Sequence, residues 1–361
     1  MKRDNTLTKY NYYILISCFL LNTTFLFSQN RFQVRGFGHI ENETEYHHAD
    51  NEYHNSWLLG EQSVFVTGAM SNKFSFLGEF AINYSMAGNH GVGSSFQTTV
   101  RRARVKYNYK GNHSIIAGQM HTVINYWNDT YYHARIFFPT ADRPLAFTYF
   151  IPIHSLGLRA QGQNLGKLNF GYDLQLGNSL EGDGLNPATL AAIHFKPIDG
   201  TRISISYFYN FIYQNMNMQH MHEEKHLMTS NYKGSLDFHL TSFSFARFEK
   251  RLEILDEFSS LITKTDSLGQ AYSFSNYLYI GYNIKDKHTP FVLLDLIRSA
   301  DNDLRNGAFN QIKIGVGLKH EFTSSLSARV QLERYTSISN WNNGLANNKN
   351  EFTVQFSYAM Y

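Results

Sequence analysis

Apolar and polar side chains alternate with a period of two along most of the chain after residue 31. In the segment 74–84, Phe74, Phe76 and Phe80 fall on one face, whereas Glu79 and Asn83 fall on the other. This period is that of a β-strand with one apolar face. Runs of about ten such residues have the length of a membrane-spanning β-strand. Similar runs occupy 168–177, 201–210, 309–320, 326–335 and 350–361.

The connections between these runs alternate between short and long. The short ones are 71–73, 110–112, 164–167, 197–200, 285–289 and 321–325. The long ones are 41–57, 87–97, 122–153, 178–188, 211–231, 259–271, 298–308 and 336–349. Short periplasmic turns at one rim and long extracellular loops at the other are typical of outer-membrane barrels. A soluble β-sandwich shares the alternation but has no reason for this asymmetry.

The pattern predicts an all-β fold, a transmembrane antiparallel up-and-down β-barrel of about 16 strands. The predicted strands are 31–40, 58–70, 74–86, 98–109, 113–121, 154–163, 168–177, 189–196, 201–210, 232–242, 246–258, 272–284, 290–297, 309–320, 326–335 and 350–361. Apolar residues in 245–258 also recur at helical spacing. If that segment is a helix, 14 strands is the next even number.

The first 28 residues have the layout of a secretory signal peptide. Lys2, Arg3 and Lys9 precede an apolar stretch over 12–27, and Ser28 provides a small residue for cleavage. A retained anchor helix and a lipoprotein box ending at Cys18 are the alternatives. Cleavage after Ser28 leaves residues 29–361 as a single barrel domain without cysteine, which excludes disulfides.

Composition agrees with a β-barrel and excludes other classes. Aromatic residues make up 16% of the chain, charged residues only 17%, and the mean hydropathy is −0.36. The aromatic content argues against disorder, and the negative hydropathy argues against a bundle of membrane-spanning helices. The net charge of +3 gives no indication of a nucleic-acid partner.

The chain resembles Gram-negative outer-membrane porins. The resemblance rests on the signal peptide, the alternating strands, the loop asymmetry and the aromatic C-terminal strand 352–361. It implies location in the cell outer membrane, contact with outer-membrane lipid, insertion by the barrel-assembly machinery and a homotrimer. It also implies that the third long loop folds into the lumen.

Sixteen strands enclose a lumen too wide for side chains to fill, so a water-filled channel is expected. The inward phase assigns these cations to the lumen: Arg31, Arg35, Arg102, Arg104, Lys106, Arg159, Arg202, Lys313, Lys319 and Arg329. The corresponding acids are Glu61, Glu79, Asp173, Asp237, Asp295, Glu333 and Glu351. The slight cationic excess predicts a weak preference for anions. Alternatively, these charges pair with one another across the lumen.

The longest connection, 122–153, is the candidate constriction loop. Its aromatic residues need burial, which favours a self-packed loop that narrows the pore. Stacking of these rings on sugars is the alternative. The residues selected here are Trp127, Asp129, Tyr131, Tyr132, Arg135, Asp142 and Arg143.

The segment 215–228 is rich in methionine and histidine. Its candidate metal ligands, for copper or zinc, are His220, His222, His226, Met218 and Met221. His47, His48 and His54 in the first long loop are additional ligands if the two loops meet. Residues 222–226 also match H-E-x-x-H, the helical motif of zinc proteases, but no helical domain surrounds them. An ordinary polar loop is the alternative.

These observations predict a porin for passive diffusion of small hydrophilic solutes, with a weak anion preference. No cofactor is expected, and no local catalytic signature is present in the sequence, so we expect no enzymatic activity. A metal-related channel and an outer-membrane barrel enzyme are the alternatives.

Overall fold

The structure is a computed structural model that describes residues 32–49, 51–85, 95–131, 138–178, 187–214, 234–303, 310–338 and 348–360. Sixteen antiparallel strands form a closed barrel in which each strand pairs with its neighbours in the chain and β1 pairs with β16. The prediction of a 16-strand up-and-down barrel is therefore confirmed.

The first eight strands are β1 (Phe32–His47), β2 (Glu52–Ala69), β3 (Phe74–Ser85), β4 (Ser95–Lys110), β5 (His113–His121), β6 (His154–Leu165), β7 (Phe170–Gly177) and β8 (Ala188–Phe195). The others are β9 (Thr201–Gln214), β10 (Gly234–Phe248), β11 (Leu252–Thr265), β12 (Gly269–Tyr282), β13 (His288–Arg298), β14 (Asn310–Thr323), β15 (Leu326–Ser337) and β16 (Lys349–Met360). Two short helices, α1 (Tyr126–Thr130) and α2 (Ala146–Tyr149), lie between β5 and β6. Neither helix is long and apolar enough to cross a membrane, and the described residues contain no other α-helix.

The period-two pattern produces two different faces on the barrel wall. In β13, Val292 and Leu294 are 51% and 40% exposed on the outer face, whereas Leu293 and Asp295 are buried on the inner face. The outer face carries a broad belt of exposed Val, Leu, Ile and Phe side chains. Such a belt is stable only where lipid, rather than water, surrounds it.

The two rims of the barrel differ as the sequence predicts. The turn rim carries the short connections 70–73, 111–112, 166–169, 196–200, 249–251, 283–287 and 324–325. The loop rim carries the other connections, including 122–153. β1 begins and β16 ends at the turn rim.

Two connections that we predicted to be long loops are short, so those predictions are wrong. β1 continues to His47, and β2 begins at Glu52. Only residues 48–51 therefore connect the two strands, where a loop over 41–57 was expected. β11 and β12 likewise meet at the turn 266–268 rather than at a loop over 259–271. Both hairpins carry polar residues on each face near their tips, which hides the alternation expected of a strand.

The segment 246–258 is divided between two strands rather than forming one strand or a helix. β10 extends to Phe248, the turn covers 249–251, and β11 begins at Leu252. The helical interpretation is wrong. Leu255 and Leu261 face inward and are fully buried. Apolar residues therefore lie on both faces of β11, which obscures its period of two.

Candidate functional site

The described parts of the connection 122–153, which are residues 122–131 and 138–153, lie inside the barrel. Trp127 and Phe138 have no exposed surface, and Phe147 and Phe150 are 2% exposed. They form an apolar core with inward residues of the wall, including Leu190, Phe208, Phe238, Leu240, Leu255, Tyr277, Tyr279, Phe291 and Leu293. A large part of the lumen is therefore filled by this loop, which we call the lumen loop.

The first part of the lumen loop is fixed to β10 and β11 by its backbone. The N–H of Tyr126 donates to Ser244 Oγ at 3.2 Å, and the N–H of Trp127 donates to Glu257 Oε1 at 2.9 Å. The Trp127 ring contacts Phe138 edge to face, with centroids 5.0 Å apart. These bonds satisfy backbone donors of α1 that have no partner within so short a helix.

The middle of the lumen loop is fixed to β15. Arg329 donates through Nε to the carbonyl oxygen of Phe138 at 3.0 Å, and the N–H of Ala141 donates to Gln331 Oε1 at 3.1 Å. The N–H of Leu145 donates to Asp295 Oδ2 in β13 at 2.7 Å. These bonds fix the middle of the lumen loop to β13 and β15.

An ion pair connects α1 to β9. Arg202 Nη1 lies 2.7 Å from Asp129 Oδ2. Although burial acts to raise the pKa of the Asp129 carboxyl, the Arg202 guanidinium holds this pKa below its ordinary value of 3.8. The pair therefore stabilises the docked lumen loop whenever Asp129 is ionised.

The pH dependence of the channel should report this ion pair. Because the folded-state pKa of Asp129 is lowered, the stabilisation is complete above pH 3.8 and is lost as the pH falls below it. We expect the lumen loop to loosen and the single-channel conductance to rise in that acidic range. D129N should show the raised conductance already at pH 7. A D129N conductance equal to that of the wild type at pH 7 would contradict this role.

The inner face of β4 carries four consecutive basic positions. A β-bulge opposite Glu79 and Phe80 inserts Arg101 into the strand, so that Arg101 and Arg102 both reach acids inside the barrel. Arg101 Nη2 lies 3.1 Å from Glu61 Oε2, and Arg102 Nε is hydrogen bonded to Glu79. The sequence pattern missed Arg101, because the bulge interrupts the period of two.

Arg104 and Lys106 continue the inner face of β4 without an acid bonded to them in the described part of the chain. Both are partly exposed. Arg104 lies opposite Gly118 of β5, which has a φ of +124°, and a Cβ there would lie 2.1 Å from the Ala103 carbonyl oxygen. Glycine at this position therefore allows the close approach of β5 to the strand that carries Arg104.

Other predicted lumen cations are held by neutral groups. Arg159 of β6 is 3% exposed, donates to Gln175 Oε1 at 3.0 Å through Nε and is also bonded to the His121 carbonyl oxygen. Nearby Asp173 of β7 accepts a hydrogen bond from Gln161. Arg329 contacts Gln355 Oε1 at 3.1 Å in addition to the Phe138 carbonyl.

A buried ion network occupies the β13–β15 wall. Lys313 is 1% exposed and lies 3.3 Å from Glu333 and 3.9 Å from Asp295. On the same strand, Lys319 lies 2.6 Å from the more exposed Glu321. Two acids therefore surround one ammonium group deep inside the wall, beneath the lumen loop.

Acidic residues concentrate on β1, β15 and β16, which lie three to five strands from the basic strand β4. Glu333 and Glu351 are directly opposite each other, as are Glu351 and Glu45, and Lys349 is bonded to both Glu45 and Glu351. Asp142 of the lumen loop joins this group, and one oxygen each of Asp142, Glu333 and Glu351 lie within 4.8 Å of one another.

The lumen charges are distributed differently from the prediction. Glu41, Glu43 and Glu45 face inward because β1 is longer than expected. Asp237, in contrast, lies on the outer face, where Tyr209 donates to it at 2.9 Å. The described charges are instead separated into a basic side and an acidic side, and most of them are paired.

Several predicted site residues lie outside the described residues. They are Tyr132 and Arg135 of the constriction loop, all five candidate metal ligands of 215–228, and Arg31.

Tyr131 is described and contacts Trp127 edge to face at 5.7 Å. Burial raises the pKa of the Tyr131 hydroxyl well above its ordinary value of 10, so that the side chain remains neutral. Arg143 lies in the described segment 138–153, next to Asp142.

No protein-family model and no curated protein sequence matches this chain. Solved structures with the same fold exist, although each is only 10% identical in sequence. The anion-selective porin from Comamonas acidovorans superposes with a TM-score of 0.66 over 91% of this chain and 99% of that one. OmpT of Vibrio cholerae, in its trimer form, superposes with a TM-score of 0.62 over 92% of this chain and 100% of that one. The outer membrane channel DcaP of Acinetobacter baumannii superposes with a TM-score of 0.58 over 91% of this chain and 97% of that one. The chain therefore has a porin-like barrel fold.

Proposed function

We propose that this protein is an outer-membrane channel for passive diffusion of small hydrophilic solutes, with a weak preference for anions. The observation that carries the proposal is the closed barrel, apolar outside and charged inside, whose lumen loop is bonded to the wall at β9, β10, β11, β13 and β15. Several barrels of similar fold are named as porins or channels, which supports this function. The loop rim is then extracellular and the turn rim periplasmic.

The anion preference is assigned to Arg104 and Lys106. Most lumen acids are bonded to a cation, as Glu79 is to Arg102 and Glu333 is to Lys313. Arg104 and Lys106 have no bonded acid within the described residues, and both lie on the inner face of β4. Glu43 of β1 and Asp142 of the lumen loop also face the lumen, which keeps the preference weak. Cationic side chains that line a low-dielectric pore concentrate anions there.

Bilayer recordings test both parts of this proposal. In a KCl gradient, the wild-type protein should form stable open channels with a reversal potential on the anion side. R104E/K106E should move the reversal potential to the cation side, because four units of charge change beside the water path. The matched control, K73E/K167E, makes the same change at exposed positions in the turns 70–73 and 166–169. It should leave the reversal potential near the wild-type value.

The outcomes that contradict the proposal are distinct. The absence of stable open steps would contradict a channel and favour a plugged barrel such as an enzyme. Equal shifts of the reversal potential in both double variants would be compatible with a channel, but they would show that Arg104 and Lys106 do not determine its selectivity.

The proposal extends to export and assembly. Removal of residues 1–28 as a signal peptide and insertion by the barrel-assembly machinery are the route that an outer-membrane location requires. A homotrimer is included because a barrel of similar fold is described in trimer form. The short strands β5, β7 and β8, of 9, 8 and 8 residues, offer the interface. Eight residues tilted by about 45° rise less than the apolar band of about 25 Å, so contact with another subunit suits this face better than lipid.

A further inference from the structure

The tip of the β1–β2 hairpin carries two histidines and two glutamates on its inner face. Glu45 pairs directly with His54, and His47 pairs directly with Glu52. Directly paired residues share a face of the sheet, so the four side chains form a square in which histidines and glutamates alternate. On its other side, His47 pairs directly with Lys349 of β16, which is bonded to Glu45. This square is at the loop rim, above the acidic side of the lumen.

Each histidine in this square is approached by a carboxylate through the same ring nitrogen. His47 Nε2 lies 2.9 Å from Glu45 Oε2, and His54 Nε2 lies 3.7 Å from Glu52 Oε2. Only the His47–Glu45 pair is within hydrogen-bond distance, and when His47 Nε2–H donates to Glu45 the lone pair of the neutral ring is on Nδ1. A carboxylate that orients one imidazole nitrogen and leaves the other for a metal is the usual outer shell of histidine metal sites.

The separation of the two rings fits a shared ion. Their centroids are 5.1 Å apart, and the ring planes meet at 83°. Two imidazoles that share a tetrahedral ion, with metal–nitrogen bonds of about 2.0–2.1 Å, place their centroids about 5 Å apart. The His54 side chain is 56% exposed, so that it can rotate to direct Nδ1 toward the ion.

We propose that His47 and His54 form a binding site for one borderline divalent cation, Zn²⁺ or Cu²⁺, at the extracellular mouth of the channel. The two imidazoles supply the protein ligands, water completes the coordination, and Glu45 and Glu52 orient the rings. Imidazole nitrogen favours these ions over Ca²⁺ and Mg²⁺, which prefer oxygen ligands. Two protein ligands give an exchangeable site rather than a structural one. The site does not depend on the proposed channel activity.

Isothermal titration of the purified full chain with ZnCl₂ at pH 7.5 tests the site. H47N/H54N should bind one Zn²⁺ fewer per chain than the wild type. H48N is the matched control, because His48 follows His47 but contacts Tyr46 on the other face of the hairpin. It should retain the wild-type stoichiometry. The segment 215–228 is present in all three proteins and contributes equally to each titration.

Two further measurements make the test specific. E45Q/E52Q should retain the stoichiometry but bind Zn²⁺ about 10–100-fold more weakly, as expected for the loss of orienting carboxylates. Excess MgCl₂ should not compete with Zn²⁺. The proposal is overturned if H47N/H54N binds as many Zn²⁺ ions as the wild type, or if Mg²⁺ displaces Zn²⁺ from the site.

Discussion

Substitution of Trp127 by alanine should destabilise the docked lumen loop and widen the channel at the same time. Trp127 has no exposed surface and packs against Phe138, Tyr131 and Tyr277. Removing a fully buried tryptophan leaves a large cavity, which costs about 3–5 kcal/mol. We expect W127A to lower the free energy of unfolding by that amount and to raise the single-channel conductance.

Urea unfolding in detergent and bilayer recording measure these two effects. Trp57 provides the control, because its side chain is 63% exposed on the outer face of the β1–β2 hairpin. W57A should change the stability by no more than about 0.5 kcal/mol and should leave the conductance unchanged. An unchanged conductance of W127A would mean that the lumen loop does not limit the passage of ions.

Substitution of Lys313 by methionine should lower the free energy of unfolding by a comparable amount, but for a different reason. The Lys313 ammonium is enclosed with Glu333 and Asp295, and all three residues are 1% exposed or less. Removing one partner of a buried ion pair leaves charge without compensation and costs about 3–5 kcal/mol. We expect K313M to reduce the free energy of unfolding by this amount, measured by the same urea titration.

A rescue and a control separate lost charge compensation from lost packing. K313M/E333Q/D295N removes the uncompensated carboxylates and should recover most of the stability. K319M is on the same strand and face, but Lys319 pairs with Glu321, whose side chain is 42% exposed. Its cost should be about 0–1 kcal/mol. If the triple variant is as unstable as K313M, the buried charges are not the cause.

The bonding partners of the predicted lumen residues depend on structural details that a period-two sequence pattern does not contain. Arg102 and Arg104 occupy equivalent positions in the sequence pattern, yet Arg102 is bonded to Glu79 and Arg104 has no bonded acid among the described residues. The period-two pattern did not identify Arg101 as a lumen residue, because a β-bulge directs its side chain inward. Pairing between strands decides these differences, and pairing partners are distant in the sequence.

The sequence by itself determined the barrel, the strand number, the two unlike rims and the burial of an aromatic third loop. These properties follow from local rules, namely the alternation of side chains on a strand and the exclusion of large aromatic surfaces from water. The strand ends near 41–57 and 245–258 did not follow, because polar tips and apolar inward residues break the alternation. The folded barrel shows which strands the lumen loop is bonded to, how the lumen charges are paired and that His47 meets His54. These contacts join residues far apart along the chain or across a hairpin register, so no local pattern specifies them.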